Sequence, residues 1–424
     1  MGCLYSLPCG LAYCGHKSQI FYVILKVHFY IYIKKMITRH IAEELQGMLP
    51  LYPILSVTGP RQSGKTTLLR QIFPDYAYVN FEEPNTRRFF EEDPYGFLKQ
   101  YDRFAIFDEA QRVPELFSYL QVKTDTDRLM GQYILSGSQN FLLLEKISQS
   151  LAGRVALFKL LPLSHRELAA HSPDLRPADA AAAILKGGYP APYDRPIPLS
   201  GFFQNYLETY VERDVRGLLH IKDLGAFQKF LRLCAGRAGQ LLNIHSLCVD
   251  AGISAPTAKN WLSILEAGYI LFPLSPFFEN FNKRVVKSPK LYFYDTGLLC
   301  HLLGLSSPEQ VLLYYQRGAL FENMAIVELL KNRWNSGRTA PFYFWQDSNR
   351  VEVDLLELEG NDIHLYEMKY SHTPTSDFFK GLHAFRNAAP LERRSGKNMA
   401  IYAGEERQLR TGATIASWRD LPGL

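Results

Sequence analysis

The sequence predicts an α/β protein: a parallel-sheet core, then a helical middle segment, then a second α/β region. Three observations carry this. Short apolar, β-branched or aromatic runs alternate with helical stretches between Ile54 and Ser136. The first run leads straight into a glycine-lysine loop, Gly59–Thr66, with a helical pattern behind it. Strand-like runs return after Phe281, on the far side of a helical stretch at Ala226–Pro276.

The elements follow in order. Ile54–Thr58 reads as a buried strand and Thr66–Ile72 as a helix. Tyr76–Phe81, Phe104–Phe107 and Tyr133–Ser136 read as further strands. Composition shifts at the alanine-rich Ala169–Ala183, followed by Gly187-Gly188-Tyr189-Pro190 and the prolines at 192–198, so a boundary is placed there. Phe202–Leu219 is helical, with charges grouped at Glu212-Arg213-Asp214. Strands are expected at Lys290–Tyr294, Phe342–Trp345, Val351–Leu358 and His364–Lys369.

A chain of 424 residues is long enough for two or three domains. A net charge of +5 is compatible with nucleic acid but too small to demand it. Six cysteines without a paired C-x-x-C spacing argue against a disulfide framework or a zinc site, and for a reducing, cytoplasmic setting. Ile20–Ile33 is apolar, but Lys26 and His28 interrupt it, and it falls short of the ~20 residues that span a bilayer. No small-residue cleavage site follows it. Met1–Ser6 also fits a short acylation pattern that is often matched by chance. Residues 1–35 are therefore read as an upstream extension outside the fold, with Met36 opening a helical start at Ile37–Leu45. No membrane partner is expected.

Gly59-Pro60-Arg61-Gln62-Ser63-Gly64-Lys65-Thr66 matches G-x-x-x-x-G-K-[ST] at every fixed position. Glycine lets the backbone curl so that successive amides face phosphate oxygens, and the helix behind adds its positive end. In this pattern Lys65 reaches the β- and γ-phosphates and Thr66 ligates magnesium, with Thr67 next in the helix. Phe104–Phe107 ends in Asp108-Glu109: Asp108 is the candidate metal carboxylate and Glu109 the candidate residue acting on water. Ser136 and Ser138, at the tip of the next strand, are candidates to contact the γ-phosphate or the water, against a plain strand-end turn. Arg154 is a candidate charge-stabilising arginine, in cis or from a neighbouring subunit, against a surface role. ATP and magnesium are the expected cofactors.

Gly59–Thr67, Phe104–Gln111, Ile134–Gln139 and Ser150–Arg154 together resemble the AAA-type ATPases of the AAA_14 group. The stretch from Tyr206–Val215 to Lys369 resembles the DUF4143 domain that usually follows. The resemblance implies a P-loop NTPase core, a winged-helix segment and a restriction-endonuclease-like C-terminal region. It has no counterpart for residues before Met36.

In the middle, Ala226–Gly236, Ile244–Ala251 and Ala255–Glu266 read as helices, the last capped by Ser254, with an apolar Tyr269–Leu271 behind Gly268. This order resembles a winged helix-turn-helix. Thr257, Lys259 and Asn260 would then face DNA, and Arg237, Lys283, Arg284 and Lys287 its phosphates. The rival is a module that binds only protein.

Toward the C-terminus, Asp354 and Glu367-Met368-Lys369 form the D…E-x-K pattern of restriction-type nucleases. Two adjacent strands would bring Asp354 and Glu367 together to bind magnesium, with Glu322 completing the shell. Alternation puts Lys369 on the face of Glu367.

The expected organisation is thus an extension (1–35), an ATPase domain (36–170), a helical lid or linker (171–225), a winged-helix-like segment (226–280) and an endonuclease-like domain (281–424). Three functions follow: an ATPase coupled to DNA or to a nuclease-like domain, a metal-dependent nuclease gated by ATP, and a signalling or scaffold ATPase that binds protein partners, alone or as a homo-oligomer.

Overall fold

The computed structural model describes residues 36–138, 150–210, 223–278, 288–388 and 395–424. The expected extension before Met36, Gln139, the Glu212–Asp214 charges, and Lys283, Arg284 and Lys287 lie outside the described residues.

Five parallel strands form the first sheet, in the order β2-β3-β4-β1-β5: β1 Ile54–Thr58, β2 Ala77–Asn80, β3 Ala105–Asp108, β4 Tyr133–Gly137 and β5 Val155–Lys159. Every residue of β1, β3 and β4 is buried, as expected for a parallel sheet covered on both faces. Alternation divides their side chains between two cores. Ile54, Ala105, Phe107, Tyr133 and Leu135 pack with the aromatic helices α3 (Pro84–Glu92), α4 (Pro94–Gln100) and α5 (Leu116–Asp127). Leu55, Val57, Ile106 and Ile134 face α1 (Ile41–Met48) and α2 (Lys65–Ile72).

Beyond β5 come α6 (His165–His171), α7 (Ala180–Lys186) and α8 (Leu199–Tyr210). Three helices follow, α9 (Leu224–Ala235), α10 (Ile244–Ala251) and α11 (Ala255–Ala267), and then an antiparallel pair, β6 (Leu271–Leu274) with β7 (Lys290–Phe293). Ser254 caps α11 through the Thr257 amide, as its position predicts. The strand begins two residues later than expected, because Tyr269 takes a left-handed turn (φ 57°) out of α11. The expected break at 280/281 falls inside the β6–β7 pair.

Next come α12 (Thr296–Leu302) and the long α13 (Arg317–Asn335). A mixed six-stranded sheet completes the chain in the order β12-β13-β11-β10-β9-β8. Its strands are β8 Phe342–Gln346, β9 Glu352–Glu359, β10 Asp362–Lys369, β11 Asn398–Tyr402, β12 Gln408–Arg410 and β13 Ala413–Ser417, with α14 (Lys380–Ala388) between β10 and β11. Helix α13 is buried on nearly all sides from Leu320 to Lys331. It sits in one apolar core that runs from Leu161 through α7–α12 to Trp418 and Leu421. Among the described residues no helix is long and apolar enough to cross a membrane.

Candidate functional site at the phosphate loop and a second acidic cluster

The phosphate loop leaves β1 at the C-terminal edge of the parallel sheet, where α/β folds place their ligands. Its backbone needs its glycines. A Cβ on Gly59 would sit 2.1 Å from the Leu160 carbonyl oxygen, and Gly64 holds φ 94° at the start of α2. Gln62 is also left-handed, at φ 59°. Lys65 is buried and donates from Nζ to the carbonyls of Gly59 and Pro60, 2.8 Å each, so its ammonium lies inside the curl of the loop. Ser63 Oγ is buried with no hydrogen-bond partner. Arg61 stands 3.9 Å from Glu82, and Thr67 is exposed on α2.

Asp108 meets the loop from the tip of β3. Its Oδ2 accepts from Thr66 Oγ1 and Tyr78 OH, both at 2.7 Å, and its Oδ1 from Ser136 Oγ and, at 3.1 Å, from the Glu109 amide. Burial, and then the bond to Asp108, push the Tyr78 hydroxyl well above its ordinary value. Glu109 occupies a left-handed position (φ 54°) that turns it out of the strand. Its Oε2 accepts from Gln111 Nε2 at 2.5 Å and from Ser138 Oγ at 3.3 Å. Lys65, Thr66, Asp108, Glu109, Ser136 and Ser138 are therefore gathered at one sheet edge. Tyr78 and Gln111 escaped the sequence reading; a tyrosine alternating into the sheet beside the acidic strand was the available sign.

Arg154 is a correction. It precedes β5, and its carbonyl accepts from the Ile54 amide, at the start of β1 and the opposite edge of the sheet from the loop. Its guanidinium pairs with Asp125 at 2.6 and 2.8 Å. Within one chain it therefore lies away from the phosphate loop.

The C-terminal set is assembled around α13. Asp354 on β9 and Glu367 on β10 are neighbours, since Asp354 Oδ2 accepts from the Met368 amide at 2.7 Å. Lys369 lies on the face of Glu367, 2.5 Å from its Oε1. Lys290, expected only as the start of a strand, enters the cluster from β7. Its Nζ donates to Glu322 Oε1 and Glu352 Oε1, both at 3.1 Å, and Tyr292 OH also donates to Glu322. Burial and the nearby Asp354 push Glu367 up to about 9. Burial raises Glu322 to about 7, with Lys290 opposing and Asp354 adding to the rise. Burial opposes charge on Lys290, but Glu322, Asp354 and Glu352 overcome it and raise that lysine.

The expected magnesium shell of Glu322, Asp354 and Glu367 does not form as drawn. Among the described residues, no group of three or more His, Cys, Asp or Glu converges closely enough to hold a metal ion. Ammonium groups already face Glu322 Oε1 and Glu367 Oε1. One acceptor, Glu367 Oε2, is buried without a partner.

On the middle helices, Lys259 and Asn260 are exposed on α11, while Arg237 is paired with Asp250.

Family models match three segments: an AAA domain (AAA_14) at residues 51–169, a domain of unknown function (DUF8612) at 178–309, and a domain of unknown function (DUF4143) at 317–421. The middle, expected to resemble DUF4143 from Tyr206 onward, matches a separate model. An uncharacterized protein of Mycobacterium tuberculosis is 29% identical over 376 residues, 87% of this chain and 80% of that one. Another, from Haemophilus influenzae, is 25% identical over 319 residues, 66% of this chain and 74% of that one. Among solved structures, a Walker-type ATPase of Pyrococcus abyssi aligns at TM-score 0.42 and 16% identity, over 63% of this chain and 96% of that one. A signal transduction ATPase with a tetratricopeptide repeat sensor from Pyrococcus horikoshii aligns at 0.24 and 12% identity, over 72% and 46%. Residues 51–169 thus match the AAA domain model (AAA_14) and have the parallel-sheet fold of a P-loop NTPase core, and residues 317–421 match the DUF4143 model.

Proposed function

We propose that this protein binds ATP with magnesium in the Gly59–Thr66 loop and hydrolyses it to ADP and phosphate. The observation that carries this is the 2.7 Å contact between Thr66 Oγ1 and Asp108 Oδ2 at the end of the loop. A hydroxyl and a carboxylate, both oxygen donors, meet beside a glycine curl with a buried lysine, which suits a triphosphate and a hard cation. Thr66 and Asp108 would hold the magnesium, whose bound charge neutralises phosphate oxygens.

The chain's own groups supply the rest. The backbone N–H groups of the loop, Pro60 excepted, and the α2 N-terminus bind phosphate oxygens. Lys65 leaves its carbonyl contacts for the β- and γ-phosphates. Tyr78 and Ser136 orient Asp108. Glu109, steadied by Gln111 and Ser138, aligns water and takes its proton. Glu109→Gln is expected to keep ATP affinity while turnover falls ~100-fold or more, the scale of a lost general base. Wild-type turnover in that variant removes Glu109 from the step.

A second reading is a nuclease-type activity of the C-terminal cluster, and the adjacency of Asp354, Glu367 and Lys369 favours it. It ranks second because Lys290 and Lys369 already neutralise part of the cluster. Three helices and a strand pair at 224–293 support a winged-helix-like unit, with Lys259 and Asn260 available to DNA. Incubating supercoiled DNA with the protein and magnesium or manganese separates the readings: nicking lost in Asp354→Ala supports the nuclease, and intact DNA retires it.

A further inference from the structure

The phosphate loop is held from behind by a residue outside its own motif. Arg39 precedes α1 and is 6% exposed. Its Nη1 donates to the Ser63 carbonyl at 2.8 Å, its Nη2 to the Leu161 carbonyl at 2.6 Å, and its Nε to Glu167 Oε1 at 2.9 Å. One planar guanidinium therefore ties the loop to the segment Leu161–Glu167, a geometry a lysine cannot reproduce. Glu167 is fully buried and also accepts from the amides of His40 (3.0 Å) and Ser164 (2.8 Å).

That segment is in turn fastened to α13. Glu328 Oε2 accepts from the His165 amide at 2.7 Å, and Lys331 Nζ donates to the Leu163 carbonyl at 2.9 Å. Both side chains are buried and pair with each other at 2.8 Å. Two turns earlier on α13, the Asn323 amide bonds both the NH and the carbonyl of Phe293 on β7, at 2.8 and 2.7 Å. Glu322 beside it takes the Lys290 ammonium. A second tether leaves the last residue of β1, where Thr58 Oγ1 and Tyr269 OH lie 2.7 Å apart.

We propose that Arg39 is a positioning residue for the phosphate loop, and that Arg39, the Leu161–Glu167 segment and α13 transmit nucleotide occupancy from Ser63 to the Lys290–Glu322 cluster. The inference rests on nucleotide binding at the loop. Its physical content is a continuous run of directional bonds, most of them buried, ending on one helix, since packed interiors pass displacements on rather than absorb them. Contiguity alone does not establish coupling, so the test must read coupling directly.

The experiment uses the full chain with magnesium–ADP as the probe. Affinity is measured by calorimetry, and amide exchange by mass spectrometry with and without saturating probe. In the wild type, magnesium–ADP should slow exchange in residues 65–72 and also in 317–335 and 290–293. Arg39→Lys, which keeps a charge for Glu167 but lacks the fork, should weaken affinity about tenfold, the scale of one charge-assisted bond. At saturation it should protect 65–72 and no longer 317–335. Lys331→Met should keep wild-type affinity and protection of 65–72, and lose protection of 317–335 and 290–293. An Arg39→Lys protein with wild-type affinity and wild-type protection of α13 overturns the proposal. So does a wild type whose α13 ignores bound nucleotide. If the wild type binds no magnesium–ADP at all, the nucleotide reading itself has failed, and the result is distinguishable from both.

Discussion

At the scale of single residues, Asp108 is the one carboxylate within the five strands of the first sheet, and Thr66, Tyr78, Ser136 and its neighbour's amide all converge on it. Tyr78→Phe removes one donor without opening a cavity. It should leave nucleotide affinity near wild type and raise the magnesium concentration needed for half-maximal turnover severalfold, read from a magnesium titration of the ATPase rate. An unchanged titration removes Tyr78 from the site. Glu367 supports a different expectation. Its folded carboxyl is raised from the ordinary 4.5 to about 9, so between those values the folded state holds a proton that the unfolded state has lost. Stability from this group is complete below about pH 4.5 and falls as pH rises toward 9. In chelator, urea midpoints should drop across that window, and Glu367→Gln should flatten the decline. The loop, Asp108 and Glu109 were legible in the sequence because their chemistry is local: spacing along the chain sets their geometry. Arg39 and Lys290 were not, because their partners lie far away in sequence, at Glu167 and at Glu322, and no local pattern marks them.

Among elements, β1–β4 and β7–β10 match the expected strands within a residue or two, because apolar runs of this length between turn residues have few other uses, whereas β5 and β11–β13 carried no expectation at all. The middle helices were legible from their 3.6-residue spacing and from Ser254. What the sequence concealed was the role of α13. Its pattern shows a helix, but burial on all sides, with Glu322, Asn323, Glu328 and Lys331 satisfied internally, depends on elements from every part of the chain. Asn323→Leu tests this. It strips partners from both backbone groups of Phe293, and each unpaired buried group costs about 1–3 kcal/mol. Denaturant unfolding should show a loss of about 2 kcal/mol or more; a loss under half of that leaves α13 and β7 only loosely joined. Arg154 shows the opposite case: strand direction carries this motif-like arginine to the far edge of the sheet from its own chain's loop, which leaves the expectation of a role from a neighbouring subunit untouched.

For the whole molecule, the family boundaries and the physical ones differ. Models divide the chain at 169/178 and 309/317, yet one apolar core passes through both junctions, from Leu161 to Leu421. Residues 39–424 form one compact unit. Calorimetry should therefore show a single cooperative transition, and a chain ending at residue 316 should fail to fold, having lost α13 from its centre. Two well-separated transitions would establish independent domains. Such a shared core is what a nucleotide-driven rearrangement would need in order to reach the Lys290–Glu322 cluster.

The central claim is that the loop at Gly59–Thr66 cradles a magnesium nucleotide against Asp108. Calorimetric titration of ATP with magnesium into the wild type and into Lys65→Ala tests it most directly. One site per chain in the wild type, abolished or weakened at least ~100-fold in the variant and dependent on magnesium, is the expected result. No binding to the wild type, or equal binding to both, contradicts it.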